Sequence, residues 1–405
     1  MNIKIKAKIG ILTISLFTMC SVAITPSIAN IANSFPNMKS FAIQMLFSLP
    51  SLTSLISALV IGKIAASVKN KRSMILIGIF LIILGGITPY FIHSNFYFIL
   101  FCSSFVGFGV GIISTLTPTL IAENFNGDER NSTFGLMTVF VSLGAILFTM
   151  VGGKLAEINW QTNYLAYFIS IPLFVMAFLF IPNSRENSTY KIENNSKNNK
   201  IRLNSKVFIV GIIGFSFLMI FTIFPTNIAI FLKEKGIGDA SSAGLASAIL
   251  FASGIITGIL FGKISKITNN YTIAIAFSVL SLGLFIVTTS ENFVFVLIGS
   301  FIAGLSLSLY MARAPYVISC IVPHYSMAMA IAVYSAFTAI AAFSSPIIIN
   351  TISSFASANS STSAFFIGGS LSAIIVVLLC LTQFERRCLD ASRQLNTIES
   401  EMKLG

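Results

Sequence analysis

Twelve stretches of about 20 mostly apolar residues follow one another along the chain, each long enough to cross a bilayer as a helix. They run over residues 9–31, 41–66, 73–92, 96–121, 133–156, 163–181, 207–232, 242–264, 271–289, 293–321, 326–352 and 362–383. In lipid a backbone must satisfy its own N–H and C=O groups, so runs of this kind become helices. The charge content supports the same conclusion. Only 9% of the residues are charged, against roughly 25% in a soluble domain, so most of the outer surface must meet lipid. The expected class is an all-α membrane protein with twelve transmembrane helices in two pseudo-symmetric six-helix bundles.

The longest polar stretch, Pro182 to Lys206, is rich in Asn, Ser, Lys and Glu and cannot bury a core. It reads as a linker between an N-terminal bundle, 1–181, and a C-terminal bundle, 207–384. Residues 385–405 read as a polar cytoplasmic tail that extends the last helix. The first run is longer than the apolar part of a signal peptide and is expected to be a membrane helix. A formal charge of +12 invites a nucleic-acid partner, but the basic residues sit in short loops between apolar runs and form no continuous patch. Their distribution instead sets orientation. Twenty of the Lys and Arg residues fall on one side of the alternating runs, four on the other, and Arg313 lies inside a run. Both termini are therefore expected in the cytosol of a cell (inner) membrane. Cys20, Cys102, Cys320 and Cys380 lie within apolar runs, Cys388 beyond them, and none forms a CxxC pair, so neither metal nor redox chemistry is expected.

The chain repeats itself at an offset near 200. Pro26 answers Pro225, Gly62-Lys63-Ile64 answers Gly262-Lys263-Ile264, and Pro118 answers Pro315. Ser54, Ala58 and Gly62 match Gly254, Gly258 and Gly262. Small residues at spacing four make a flat helix face that another backbone can approach. Two six-helix halves in the same orientation are a transporter architecture.

Several segments then resemble the major facilitator superfamily, and within it the drug:proton antiporters. The loop Gly62 to Arg72 resembles the superfamily's signature after the second helix, with Gly62, Lys71 and Arg72 in place and Ala66 where an Asp is usual. In the fifth run, Gly135, Gly144, Gly152 and Gly153 are in register with the antiporters' glycine signature, while Phe148 and Thr149 replace its Gly-Pro. Glu123 and Arg130 resemble the family's acid and Arg before that helix, and Trp160, Tyr164 and Pro172 its usual lead into the sixth. Ser103 stands four residues before Gly107, where the family often has a buried Arg. The resemblance implies alternating access, protons as coupling ion, and a conformational latch formed by Gly62, Lys71, Arg72, Glu123 and Arg130. Lys71 or Arg72 would pair with Glu123 in one state and release it in the other.

Arg313, in the tenth run beside Pro315, is the most informative single residue. An Arg near the bilayer core costs at least about 2.5 kcal/mol on insertion scales. No Asp or Glu falls within the twelve runs, so an anionic substrate group is the expected partner, the alternative being that the side chain snorkels to the cytoplasmic headgroups. Asn227 and Asn30, which follow Pro225 and Pro26, should point inward because an amide in lipid goes unsatisfied. Gln44 and Tyr334 complete the candidate substrate-binding set. No catalytic triad, metal cluster or phosphate loop is visible, so the chain reads as a non-enzymatic secondary transporter without a cofactor, expected to be a monomer. Proton-coupled export of small organic or drug-like molecules is the first reading. Uptake of a small organic anion, as in cyanate-permease-like members of the superfamily, is the alternative.

Overall fold

Nearly every apolar run winds into helix in the computed structural model of the chain, which describes residues 3–27, 30–31, 34–36, 38, 40–67, 70–181, 204–238, 240–323, 326–356 and 360–390. Among the described residues there is no strand, and eleven helical stretches are long and apolar enough to cross a membrane. One of them, Ser242–Thr288, has 47 residues. As a single helix it would span about 70 Å at 1.5 Å per residue, more than twice the roughly 30 Å of a hydrocarbon core. It is instead two helices parted by a 3-10 turn at Asn269–Tyr271, where Asn269 takes a left-handed φ of 48°. That gives the twelve crossings expected from the sequence.

The first span, α1, is helical over Ile3–Ser15 and tightens into 3-10 turns over Leu16–Ser27. There follow α2 (Ser40–Ser67), α3 (Lys71–Phe91), α4 (Phe96–Asn124) and α5 (Gly127–Ala156). The sixth, α6, begins as 3-10 turns over Thr162–Ile169 and continues as Ser170–Phe180. In the second half, α7 comprises Ser205–Phe221 and Ile223–Lys235, followed by α8 (Ala240–Thr268) and α9 (Thr272–Thr288). Then come α10 (Phe293–Ile321), α11 (Met327–Ala356) and α12 (Ser360–Thr382). A short helix, α13, covers 384–390 after a turn at Gln383, whose φ is 46°. The chain thus turns aside after α12 rather than extending it, and residues 391–405 of the tail and 182–203 of the linker lie outside the described residues.

The chain forms two compact units. Unit 1 comprises Met1–Phe125, Phe140–Leu203 and Tyr325–Phe343; unit 2 comprises Asn126–Val139, Asn204–His324 and Ser344–Gly405. Two helices are therefore shared, the start of α5 belonging to unit 2 and the start of α11 to unit 1. Small residues allow both placements. Within unit 1 a Cβ on Gly62 would lie 2.3 Å from the Ala332 Cβ, so α2 and α11 meet at van der Waals limits. Within unit 2 a Cβ on Gly135 would lie 2.7 Å from the Gly258 carbonyl oxygen, which brings the start of α5 onto α8. In the absence of a hydrophobic driving force between helices in lipid, such close packing is what holds spans together.

Buried amides add to it. Asn163, fully buried in α6, donates at 2.9 Å to both the Ala23 and the Gly152 carbonyls. It ties α1, α5 and α6 in unit 1 by satisfying acceptors that lipid could not.

Candidate functional site

At the end of the spans where most Lys and Arg lie, here called the basic side, Lys71 opens α3 and forms an ion pair with Glu123 in the last turn of α4. Both are partly covered, at 13% and 26% side-chain exposure. Arg72 takes a different partner. Its guanidinium donates to the Phe178 carbonyl of α6 and lies 4.8 Å from the centre of the Phe178 ring. Of the two bases, Lys71 is thus the one that meets the acid. Lys71, Arg72, Glu123 and Gly62 all belong to unit 1.

The fifth member of the expected latch is assigned to the other unit. Arg130 belongs to unit 2, where it donates to the Ser319 carbonyl of α10 at 3.3 Å and to the Asn126 side chain at 3.0 Å. The acid-then-Arg pattern thus straddles the unit boundary, with Glu123 in unit 1 and Arg130 in unit 2. Reversing Glu123→Lys places two ammonium groups in contact. We expect transport to fall while yield and monodispersity stay at the parent level. Unchanged transport would leave Lys71 and Arg72 as topology markers alone.

The glycines of α5 serve close approach. A Cβ on Gly144 would lie 2.1 Å from the Leu16 carbonyl oxygen, and one on Gly152 would lie 2.6 Å from that of Ala23. Gly135 faces α8, and Gly153 is half-buried in the last turn.

The structure corrects the sequence-based expectation for Arg313. A carboxylate does meet it. Arg313 and Glu385 form a buried ion pair, 4% and 5% exposed, between α10 and α13. Hydropathy places Glu385 outside the spans. The left-handed turn at Gln383 nonetheless folds α13 back, and Glu385 is inserted between α10 and the start of α9. Its second oxygen accepts the Ile273 N–H at 2.9 Å. That N–H, in the first turn of α9, has no acceptor in its own helix, and the positive end of the helix dipole favours an anion there. Burial pushes the Glu385 carboxyl above the usual carboxylate range, while Arg313 and the Ile273 N–H pull against that rise. The rest of the guanidinium is also engaged. It donates to the Ser265 hydroxyl at 2.7 Å and to the Asn269 carbonyl, and sits 5.1 Å from the centre of the Tyr316 ring.

The remaining candidates are not gathered in one unit. Asn227 is buried in α7 of unit 2, its amide donating to the Ile223 carbonyl at 3.1 Å and the Thr226 hydroxyl at 3.0 Å, both within its own helix. Tyr334 is buried in α11, in unit 1. Asn30 lies past the end of α1 and is exposed. Gln44 is in α2, and its side chain lies outside the described residues.

Unit 1 also holds a small, partly open cavity of about 10 Å³ lined by Ser21, Pro50, Ser103, Tyr164 and Tyr167 among others. The position where the resembling family carries an Arg is here a small hydroxyl on the cavity wall. The Tyr164 hydroxyl is buried without a hydrogen-bond partner among the described residues. Neither hydropathy nor motif marks Glu385, Ser265 or Asn163 as interior polar groups.

Comparison with known proteins agrees with the all-helical fold. Residues 10–287 match the family model for the Major Facilitator Superfamily. The glucose/mannose transporter GlcP of Bacillus subtilis (strain 168) is 26% identical over 239 residues, 56% of this chain and 59% of that protein. Mouse (Mus musculus) protein spinster homolog 3 is 30% identical over 95 residues, 23% of this chain and 18% of that protein. The chain thus spans less than two thirds of either relative. Among solved structures, the proton:xylose symporter XylE bound to 6-bromo-6-deoxy-D-glucose superposes with a TM-score of 0.71 at 15% identity, covering 93% of this chain and 94% of that one. The human organic anion transporter MFSD10 superposes with a TM-score of 0.73 at 11% identity, covering 94% and 100%.

Proposed function

The chain belongs to the major facilitator superfamily, and on that premise we propose that it carries a small, uncharged organic molecule across a cell membrane by alternating access, with its basic side and both termini in the cytosol. The observation that carries this reading is the Arg313–Glu385 pair. Arg313 is the one base well inside an apolar run, and its charge is already met by a carboxylate. No Asp, Glu or His lies within the runs, so a substrate of either charge lacks an unpaired partner there. What the interior offers is hydroxyl and amide groups, Ser103 and Tyr164 among them. An organic anion as substrate loses the argument that favoured it.

Two neutral substrate classes stand first. The Bacillus relative's name points to hexoses. The α5 glycines favour a second reading, export of drug-like molecules as in the drug:proton antiporters. Proton coupling and a monomeric state rest on that resemblance alone.

Purified protein in proteoliposomes tests the reading, with a labelled hexose, a neutral drug-like dye and cyanate offered with and without a pH gradient. Flux of the hexose or dye without cyanate flux is expected. Cyanate flux that disappears in Arg313→Gln, at matched incorporation, would overturn it. For orientation, a cysteine at Glu157 should react with an impermeant maleimide on intact cells and one at Lys263 should not; the reverse pattern sinks the assigned sidedness.

A further inference from the structure

Four elements of unit 2 converge at the basic side in a way the transport reading does not explain. The short helix α13 brings Glu385 against Arg313 of α10. Arg313 donates to the Ser265 hydroxyl near the end of α8 at 2.7 Å. That hydroxyl in turn donates to the side-chain amide oxygen of Asn131, on the second turn of α5, at 3.4 Å. The donors are consistent along the chain: guanidinium to hydroxyl, hydroxyl to amide oxygen. Around it, Arg130 holds the Ser319 carbonyl, and Phe134 meets Tyr316 edge-on at 6.4 Å. Asp128 also pairs with Lys266 at 2.6 Å, but both are mostly exposed, at 75% and 61%, and solvent screening makes such a pair weak.

The buried members decide the strength of the arrangement. Arg313 has several donors in a rigid fork, and one oriented fork can serve Glu385 and Ser265 together only while the carboxylate fixes its plane. Ser265 is 4% exposed and Asn131 is 6% exposed, so neither can exchange these bonds for water without opening the packing. The helix that carries Asn131 leaves unit 2 after Val139 and continues in unit 1.

We propose that Glu385, on the segment after the last span, is a positioning residue for closure of the basic side: it orients Arg313 so that Ser265 holds the start of α5 against α8 and α10. The carboxy-terminal segment thereby controls how readily α5 leaves α10. The role is independent of which substrate is carried.

Cys320 reports on it. It lies half-buried one residue past Ser319, whose carbonyl Arg130 holds, so release of α5 uncovers the thiol. The rate of Cys320 modification by a charged maleimide, added from the basic side of proteoliposomes and read by peptide mass spectrometry, is the measurement. Glu385→Gln should raise that rate roughly fivefold, the scale of losing one net hydrogen bond, and Ser265→Ala should raise it comparably. The double variant should be no faster than either single one, because both act on one chain of bonds. A merely structural role for Glu385 would instead give independent, multiplying effects. Rates for both single variants within about twofold of the parent, or multiplying effects in the double variant, would overturn the proposal. Should Glu385→Gln fail to fold, Ser265→Ala decides alone: an unchanged Cys320 rate there overturns it.

Discussion

Arg313→Met should remove most of the folded protein from a detergent extract. The substitution leaves the Glu385 carboxylate 5% exposed with the Ile273 N–H and the Thr272 hydroxyl as its remaining donors, and breaking a buried pair by removing one partner costs about 3–5 kcal/mol. The double variant Arg313→Met, Glu385→Leu removes both charges and should recover much of the loss, since apolar replacement of a whole buried pair is often neutral. Recovery should be incomplete, because the Ile273 N–H then lacks its acceptor, a further cost of about 1–3 kcal/mol. Arg313→Lys should fall between, since an ammonium keeps the charge but not the fork that reaches Glu385, Ser265 and the Asn269 carbonyl together. Melting temperatures by size-exclusion recovery after heating give the order. A single Arg313→Met variant as stable as the parent would mean that the guanidinium is not committed to Glu385, and the anion-binding reading would return.

The fate of Arg313 shows which parts of the molecule the sequence made legible. That it must be neutralised follows from the cost of a charge near lipid, and that inference holds. The identity of the neutralising group does not follow, because Glu385 lies past the last apolar run. Its burial depends on one left-handed residue, Gln383, and hydropathy carries no signal for a turn. The latch set is legible only in part for a similar reason. Glu123 and Arg130 are seven positions apart, yet the unit boundary at 125–126 falls between them. By contrast, the helical spans and the role of small residues were readable, since both rest on local composition. Spacing four in Ser54, Ala58 and Gly62 marks faces where backbones come close, and Ser54 does lie under Gly111, with its carbonyl oxygen 2.3 Å from where a Cβ would sit. Substrate-facing residues stayed illegible. An amide such as Asn227 can be satisfied by its own helix, and nothing in the sequence separates that outcome from substrate contact.

The repeat of the two halves predicts a matched pair of severe substitutions. Gly107 of α4 packs on α2, where a Cβ would fall 2.3 Å from the Pro50 carbonyl oxygen and 2.0 Å from the Thr53 hydroxyl. Gly304 of α10 packs on α8 in the same way, 1.9 Å from the Leu250 carbonyl oxygen and 2.1 Å from the Ser253 hydroxyl. A hydroxyl can rotate away, but the backbone oxygens cannot move without shifting a whole helix. Gly107→Leu and Gly304→Leu should therefore each cost more than about 4 kcal/mol, the range reserved for severe core disruption, and abolish monodisperse protein. Gly107→Ala and Gly304→Ala should already lower stability clearly, since the first carbon is the one that collides. Gly244 of α8 is the control: a Cβ there meets nothing within 4 Å, and replacing a helical Gly by Ala gains about 0.5–1 kcal/mol in helix propensity. Gly244→Ala should melt at or above the parent temperature. Equal tolerance of alanine at 107, 244 and 304 would show that α4 and α10 do not approach α2 and α8 this closely. A large loss at one of 107 and 304 but not the other would show that the two halves, though repeated in sequence, do not repeat the helix pair on which each bundle is built.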